Sequence, residues 1–300
     1  MYKNKKFTQT DKHINTIGTS TLSATWRLKY FQASLQKALR NALVSEKICN
    51  VDRSDSKYLT NPYGNNPTAA IAAISGGYTI TAFTTTDDTV SVTDQVTYAE
   101  HIYEFESTMA RVDLAASRID EMTYAVAYGI DYFVLNKITD IATGAYTTPT
   151  GGFTTPANVP EIIANLSSKV MGYSNSYNGL FLVIENTDVV GFMQAQMASG
   201  FSYADAALNN GFMTSFAGVD IYVVRSGTFA TDTIGTLTAT NSGHRLAGVK
   251  GIATYLAPRG VQMEEKSVTA KTGKEIAVYG NVGAGIWTPL RTLLIDITIA

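Results

Sequence analysis

The chain has a single cysteine, three histidines and seven prolines in 300 residues, and only 16% of its residues are charged. One thiol, Cys49, excludes an intramolecular disulfide; with no histidine near it in sequence, it reads as a buried thiol and not a nucleophile. His13, His101 and His244 lie far apart without metal-ligand spacing, so no metal centre is expected. A phosphate loop ending in Gly-Lys-Ser/Thr is absent, and so is a Gly-x-Ser-x-Gly elbow. Asp87-Asp88 and Glu264-Glu265 are adjacent acids that a strand would send to opposite faces, which suits turns and solvated edges better than acid–base work. Gly280, Gly283 and Gly285 have the wrong order for a dinucleotide fingerprint and read as strand glycines at a bulge or close contact. No catalytic residue, metal or cofactor is therefore expected, and the chain reads as a non-enzyme. Its apolar runs are strand-sized, and the basic start leads into polar residues, so the expectation is a soluble intracellular chain with neither secretory signal nor membrane span.

What the chain has instead is 45% hydrophobic residues, 17 tyrosines and many Thr, Ser, Gly and Asn. A surface of uncharged polar groups and aromatics suits burial against copies of the same chain, since self-association interfaces are depleted in charge. The net charge of −2 hides an asymmetry. Residues 1–50 hold nine Lys and Arg against Asp11 and Glu46, hence +7, which leaves −9 for the remainder. Lys3, Lys5, Lys6 and Lys12 make the start a basic arm that suits acidic neighbouring subunits or nucleic acid, and equally a solvated face.

The organising stretch is Ser107 to Ile141. Met109, Val112, Ala115, Ile119, Met122, Val126, Ile130, Phe133, Leu135 and Ile138 recur at helical spacing and predict one long spine helix of about 50 Å. Thr143-Gly144 is expected to end it, with Gly144 in the left-handed conformation. Before it, residues 1–24 lack periodicity. Leu28, Phe31, Leu35 and Leu39 then mark the packing stripe of an arm helix over Thr25 to Ser45. Residues 50–67 read as punctuation. Tyr78, Ile80 and Ala82, a turn at Asp87-Asp88, and Val90, Val92, Val96 and Tyr98 predict a long β-hairpin. Past a Thr/Pro/Gly boundary at Thr147 to Pro156, an α/β subdomain follows: a helix capped by Asn158, an apolar strand at Gly179 to Ile184, a helix from Thr187 to Met197, a shorter one at Tyr203 to Leu208, and a strand at Val219 to Val224. Ser226 to Gly243 reads as an exposed loop. Strands at Leu246 to Leu256, Val261 to Thr269, Lys274 to Trp287 and Arg291 to Ile299 are expected to return beside the spine helix.

In this order the segments HIYEFESTMARVDLAASRIDEMTYAVAYGIDYFVLNKITDIATG (101–144), GLFLVIENTD (179–188), FAGVDIYVVRS (216–226) and EIAVYGNVGAGIWTPLRT (275–292) resemble the major capsid proteins of tailed bacteriophages, the Hong Kong 97-like fold also found in encapsulin shells. The resemblance implies an α+β architecture with an N-terminal arm (1–50), an extended loop (51–100), a peripheral domain with the spine helix (101–150 and 255–300) and an inserted axial domain (151–254). It also implies a structural protein assembling as hexamers and pentamers into an icosahedral shell around double-stranded DNA, made in a bacterial host's cytoplasm and ending in the virion. Implied partners are copies of itself, a portal, a separate scaffolding protein because no long fused N-terminal segment precedes the arm, and a decoration protein. Relatives that cross-link use a lysine in the extended loop. Here Lys57, at the loop's base, is the only lysine from 51 to 100, so cross-linking is not expected. An encapsulin-like compartment and an α/β enzyme are the alternatives.

Overall fold

The computed structural model describes residues 43–64, 85–102, 114–173, 179–198, 212–267 and 274–300. The basic residues Lys3, Lys5, Lys6 and Lys12, the arm stripe Leu28, Phe31, Leu35 and Leu39, the predicted strand at Tyr78 to Ala82, the helix at Tyr203 to Leu208 and the spine residue Val112 lie outside them. The described residues form two compact units, one of 96–102, 114–127, 260–267 and 274–280, the other of 43–64, 85–95, 128–173, 179–198, 212–259 and 281–300.

Chain order gives α1 (Ser45–Ile48), β1 (Asn50–Asp52), β2 (Tyr58–Gly64), β3 (Thr85–Ser91), β4 (Asp94–Ile102), α2 (Leu114–Ile141), β5 (Gly144–Thr147), α3 (Asn158–Tyr173), β6 (Leu180–Glu185) and α4 (Val189–Ala198). Then come β7 (Phe212–Phe216), β8 (Val219–Val224), β9 (Thr231–Ile234), β10 (Leu237–Thr240), β11 (His244–Val249), β12 (Ala253–Leu256), β13 (Val261–Ser267), β14 (Lys274–Ile286) and β15 (Leu294–Thr298). The architecture is α+β, as the sequence predicts. The spine helix is α2, whose 28 residues rise about 42 Å at helical pitch. Met122, Val126 and Ile130 are fully buried, as their spacing requires, and Ile119 lies within the same helix.

In the first unit, β13 pairs antiparallel with β14, from Val261 opposite Gly280 to Ser267 opposite Lys274. Val96 and Tyr98 on β4 alternate as read, half-buried between exposed neighbours. Arg118 on α2 grips Glu100 of β4 and Glu121 one turn on.

The second unit is built on a six-stranded mixed sheet in the order β5-β15-β11-β6-β8-β7. All six residues of β6 are buried, the signature of a strand covered on both faces. Ile162, Ile163, Leu166 and Val170 of α3 and Phe192 of α4 pack on Leu182, Ile184, Ile221, Ala247, Ile295 and Ile297. Burying each such side chain stabilises the unit by about 1.5–3 kcal/mol. Phe153 stacks on Phe192 at 5.4 Å, and Gly191 lets α4 approach so closely that a Cβ there would strike the Phe153 carbonyl oxygen.

Several expectations are corrected. The turn expected at Asp87-Asp88 is instead mid-strand: both residues lie in β3, opposite Pro62 and Asn61 of β2. The segment read as punctuation is thus the partner strand. A two-stranded ribbon is all edge, so Pro62 is tolerated, and Asp88 is satisfied by the Thr288 amide. Gly144 does not close the helix in a left-handed conformation; it opens β5, where an added Cβ would sit 2.6 Å from the Leu294 carbonyl oxygen. The stretch read as an exposed loop forms the hairpin β9–β10 around a turn at Gly235 (φ +59°), with Leu237 and Ala239 buried. Leu246 to Leu256 is two strands broken at Lys250-Gly251, and β11 and β12 join different sheets. The returning strands do not share one sheet: β15 lies between β5 and β11, whereas β14 pairs with β12 and β13. Asn158 begins α3, yet its side-chain amide donates back to the carbonyls of Thr150 and Gly152 rather than capping the helix.

The glycine reading of β14 is borne out in the second unit. A Cβ on Gly283 would collide with the Ser91 carbonyl oxygen and come within 2.8 Å of the Val92 Cα; one on Gly285 would lie 2.7 Å from Val90. Gly283→Ala is expected to destabilise by about 1–3 kcal/mol because backbone atoms must shift. Ala217, by contrast, sits at φ +49° in the β7–β8 turn, and Ala217→Gly should stabilise by about 1 kcal/mol. Urea unfolding of the two variants checks both signs.

Candidate assembly surface

An assembly surface needs exposed groups worth burying and a frame stiff enough to hold them. Tyr58 on β2, Tyr124 on α2, Met171 on α3, and Val190 and Met193 on α4 are large apolar side chains left in solvent. Val190 and Met193 are 59% and 43% exposed one helical turn apart, so α4 presents an apolar outer face as well as an apolar inner one.

The frame is held from inside by polar side chains on apolar elements. Asp131 lies on the buried face of α2 beside Ile130, and its two carboxylate oxygens accept the amides of Val44 (3.0 Å) and Ser45 (2.9 Å). Leu43, Val44 and Ile48 are buried around this contact, so the described chain begins firmly docked on the spine helix. Burial pushes the Asp131 carboxyl above the usual range, against the pull of the Ser45 and Val44 amides and the Lys47 charge. Burial and that neighbouring carboxylate also push the Cys49 thiol up, so Cys49 is the inert buried thiol expected.

One and a half turns on, Asn136 is fully buried. Its side-chain amide donates to the carbonyls of Thr228 (2.7 Å) and Tyr132 (2.6 Å), and its Oδ1 accepts the Ala230 amide and the Asn241 side chain, both at 3.2 Å. Glu185, at the end of β6, accepts the amides of Gly227 (3.0 Å) and Phe229 (3.3 Å) with one oxygen and Arg245 (3.1 Å) with the other. Arg245 also donates to Asp188 at 2.6 Å and lies over the Phe229 ring at 5.8 Å. This buried ion triad and Asn136 hold both ends of the β9–β10 hairpin segment.

His244 is a satisfied histidine, its Nδ1 within 2.7 Å of Asp296, whose carboxyl is raised by burial and by Asp140 despite that partner. Lys250 donates to Asp220 and to the Tyr222 hydroxyl. An open polar cleft of about 500 Å³ has Asp55, Lys57, Asp94 and Arg259 on its walls. Among the described residues no three His, Cys, Asp or Glu side chains converge on a metal-sized site, and no described helix is long and apolar enough to cross a membrane.

Of the residues expected to matter, Met122, Val126 and Ile130 are internal packing and present nothing to a partner. Spacing assigns no role to Asp131, Asn136, Glu185 or Arg245, and marks Asp188 only as part of a helix start. For the two on the spine helix the signal was available: a carboxylate and an amide inside an apolar helical stripe demand named partners.

No family model and no curated protein matches the sequence. Solved structures do match. The chain is similar to the capsid of cyanophage P-SCSP1u (16% identity, 86% of this chain and 88% of that one, TM-score 0.64) and to a structure from Mycobacterium phage Che8 (13%, 85% and 90%, 0.66). It is also similar to a virus-like particle from Pyrococcus furiosus (10%, 90% and 99%, 0.57). The chain has the α+β fold of these capsid proteins, the fold its sequence resembles.

Two outcomes follow for the frame. Arg245→Ala leaves two buried carboxylates facing each other and should cost about 3–5 kcal/mol in chemical unfolding. Asp131 has a raised folded-state pKa, so below its ordinary value its contribution to stability is full, and the contribution falls as pH rises through the raised value. Asp131→Asn mimics the protonated form. Its stability deficit relative to wild type should therefore shrink between pH 4 and pH 7, as unfolding curves at stepped pH will show.

Proposed function

We propose that this chain is the major capsid protein of a tailed bacteriophage, a structural, non-enzymatic subunit that assembles as hexamers and pentamers into an icosahedral shell around double-stranded DNA. The observation that carries the reading is the fold shared with phage capsids over 85–86% of this chain. The charge-poor composition and the apolar outer face of α4 support it, because both favour burial against further copies.

On this reading residues 1–50 are the N-terminal arm, 51–100 the extended loop, 101–150 with 255–300 the peripheral domain, and 151–254 the axial domain. Lys3, Lys5, Lys6 and Lys12 face DNA or acidic neighbouring subunits, a contact worth more at low salt than at high. The stripe Leu28, Phe31, Leu35 and Leu39 docks the arm helix. Val112 and Ile119 extend the internal packing of the spine. A scaffolding protein and a portal guide closure, and a decoration protein can bind outside. The particle forms in the bacterial cytoplasm and ends as the virion shell.

A second reading, an encapsulin-like compartment around protein cargo, is favoured by the match that spans 99% of the virus-like particle chain. The +7 charge of residues 1–50 favours DNA.

Size exclusion and negative-stain microscopy of the expressed full chain, alone and with its scaffold, should give rings, hexamers or closed shells. Nucleic acid inside supports the first reading and protein cargo the second. A stable 32.3 kDa monomer under all conditions overturns both. Deleting residues 1–23 should leave a folded chain that makes no closed particles; normal shells from that deletion would remove the role given to the arm.

A further inference from the structure

Seven residues at the root of the β2–β3 hairpin, Lys57 among them, carry a dense set of attachments, all within the second unit. Asp88 accepts the Thr288 amide at 2.6 Å. Val90, buried at 5% exposure, lies over Gly285, and the Ser91–Val92 backbone crosses Gly283 at a distance that no side chain would allow. The Val92 amide donates to the Lys57 carbonyl (2.9 Å), closing the hairpin at its base, and the Thr93 amide donates to the Val282 carbonyl (3.3 Å). Asp94 completes the set. Its Oδ1 accepts the Thr236 amide at 2.7 Å, and its Oδ2 accepts the hydroxyls of Thr236 and Thr93, both at 2.6 Å.

The Asp94–Thr236 contact is built for a carboxylate. Thr236 follows Gly235 in the tight β9–β10 turn, and Gly235 has a left-handed φ and no Cβ, so the Asp94 oxygen can lie against it. Burial resists the charge on Asp94, but the Thr236 and Thr93 donors and the Lys137 charge hold its carboxyl below the ordinary range. The β9–β10 hairpin is in turn tied through Asn241 and Ala230 to Asn136 of the spine helix. Asp94 therefore fastens one hairpin to a second whose own position is fixed by buried bonds. Two-stranded ribbons have no such rigidity of their own, since an isolated hairpin is marginal in water.

We propose that the Asp94–Thr236 clasp is a positioning device that sets the direction in which the β2–β3 hairpin leaves the body of the subunit, so that the extended loop is aimed at a second copy of this chain before assembly. The inference rests on the assembly reading and deepens it by naming residues that set the geometry of the subunit contact. Asp94 is a positioning residue: it acts through the hairpin and not by touching the partner. A pre-aimed loop loses less conformational freedom on docking, and the gain repeats at every subunit of a closed shell.

The test uses the full chain as wild type, Asp94→Ala, Thr236→Val and Thr236→Ser. In the unassembled subunit, Asp94→Ala and Thr236→Val should speed hydrogen exchange at residues 85–93 by about tenfold, the loss of roughly one charge-assisted hydrogen bond, while exchange in β6 stays unchanged. Their thermal midpoints should fall by no more than about 4 °C. Under conditions where wild type closes, both variants should lose at least about tenfold in yield of closed particles or give mixed diameters. Thr236→Ser keeps the hydroxyl and should assemble as wild type does.

Unchanged exchange at residues 85–93 overturns the clasp whether or not particles form. So do wild-type particle yields and diameters from both Asp94→Ala and Thr236→Val, or lost assembly accompanied by faster exchange throughout both variants. If wild type itself never assembles while Asp94→Ala still loosens residues 85–93, the clasp stands as a hairpin mount and the assembly reading fails, taking the aiming role with it.

Discussion

A carboxylate and an amide buried in an apolar helix decide where two other segments of the chain must go. Asp131 and Asn136 lie on α2 among Ile130, Phe133, Val134, Leu135 and Ile138, where an unpaired polar group would cost about 1–3 kcal/mol and an unpaired charge more. Each is satisfied by backbone from far along the sequence. Asp131 takes the amides at Val44 and Ser45, and Asn136 takes the strand entry at Thr228 and Ala230. Apolar contacts alone would hold these segments against the helix and tolerate slippage. The hydrogen bonds fix the register. Buried polar groups of this kind add little net stability but penalise competing arrangements.

Backbone crossing backbone is the second constraint. At Gly283 and Gly285 the C-terminal half of β14 accepts the Val90–Val92 segment at distances that exclude a Cβ, and at Gly191 helix α4 meets Phe153 in the same manner. Gly283 and Gly285 carry no chemistry, yet they bring the hairpin root within reach of Thr288 and Thr236, and Asp88 and Asp94 then have partners. Close approach comes first and the charge-assisted bonds follow from it. A larger residue at 283 would displace the root and strand both carboxylates.

The legibility of this fold divides along the range of the forces involved. Helix α2, helix α3, strand β6 and strand β8 were readable because their apolar spacing is local and repeats. The glycines of β14 were readable as close contacts, though not what they contact. The hairpin partner was misread because Asn61-Pro62 is turn chemistry by composition and becomes strand only when β3 lies beside it. Asp87-Asp88 failed the same way: two adjacent acids suit a turn until a distant amide, at Thr288, needs an acceptor. The segment from Ser226 to Gly243 looked exposed because it is rich in Gly and Thr, and it is held by Asn136 and Glu185, side chains 92 and 42 residues away. Placement of β15 between β5 and β11 depended on which sheet had an open edge, a fact no window of sequence contains. The outward groups, Tyr124 and Met193 among them, were not separable from core residues by spacing alone.

Charge is placed differently in the interior and at the surface. Among the described residues Asp131, Glu185, Asp188 and Arg245 are the buried charges, and their bonds are screened by salt far less than surface pairs are. The other described charged residues lie at least partly in solvent, Arg53, Asp55 and Lys57 beside Tyr58 among them, and their contacts weaken as salt rises. A closed shell must form from contacts weak enough singly to be broken and reset, yet permanent in sum. On the assembly reading proposed above, a frame fixed by four buried charges holds such contacts in one geometry, and a polar, partly charged exterior keeps each of them weak.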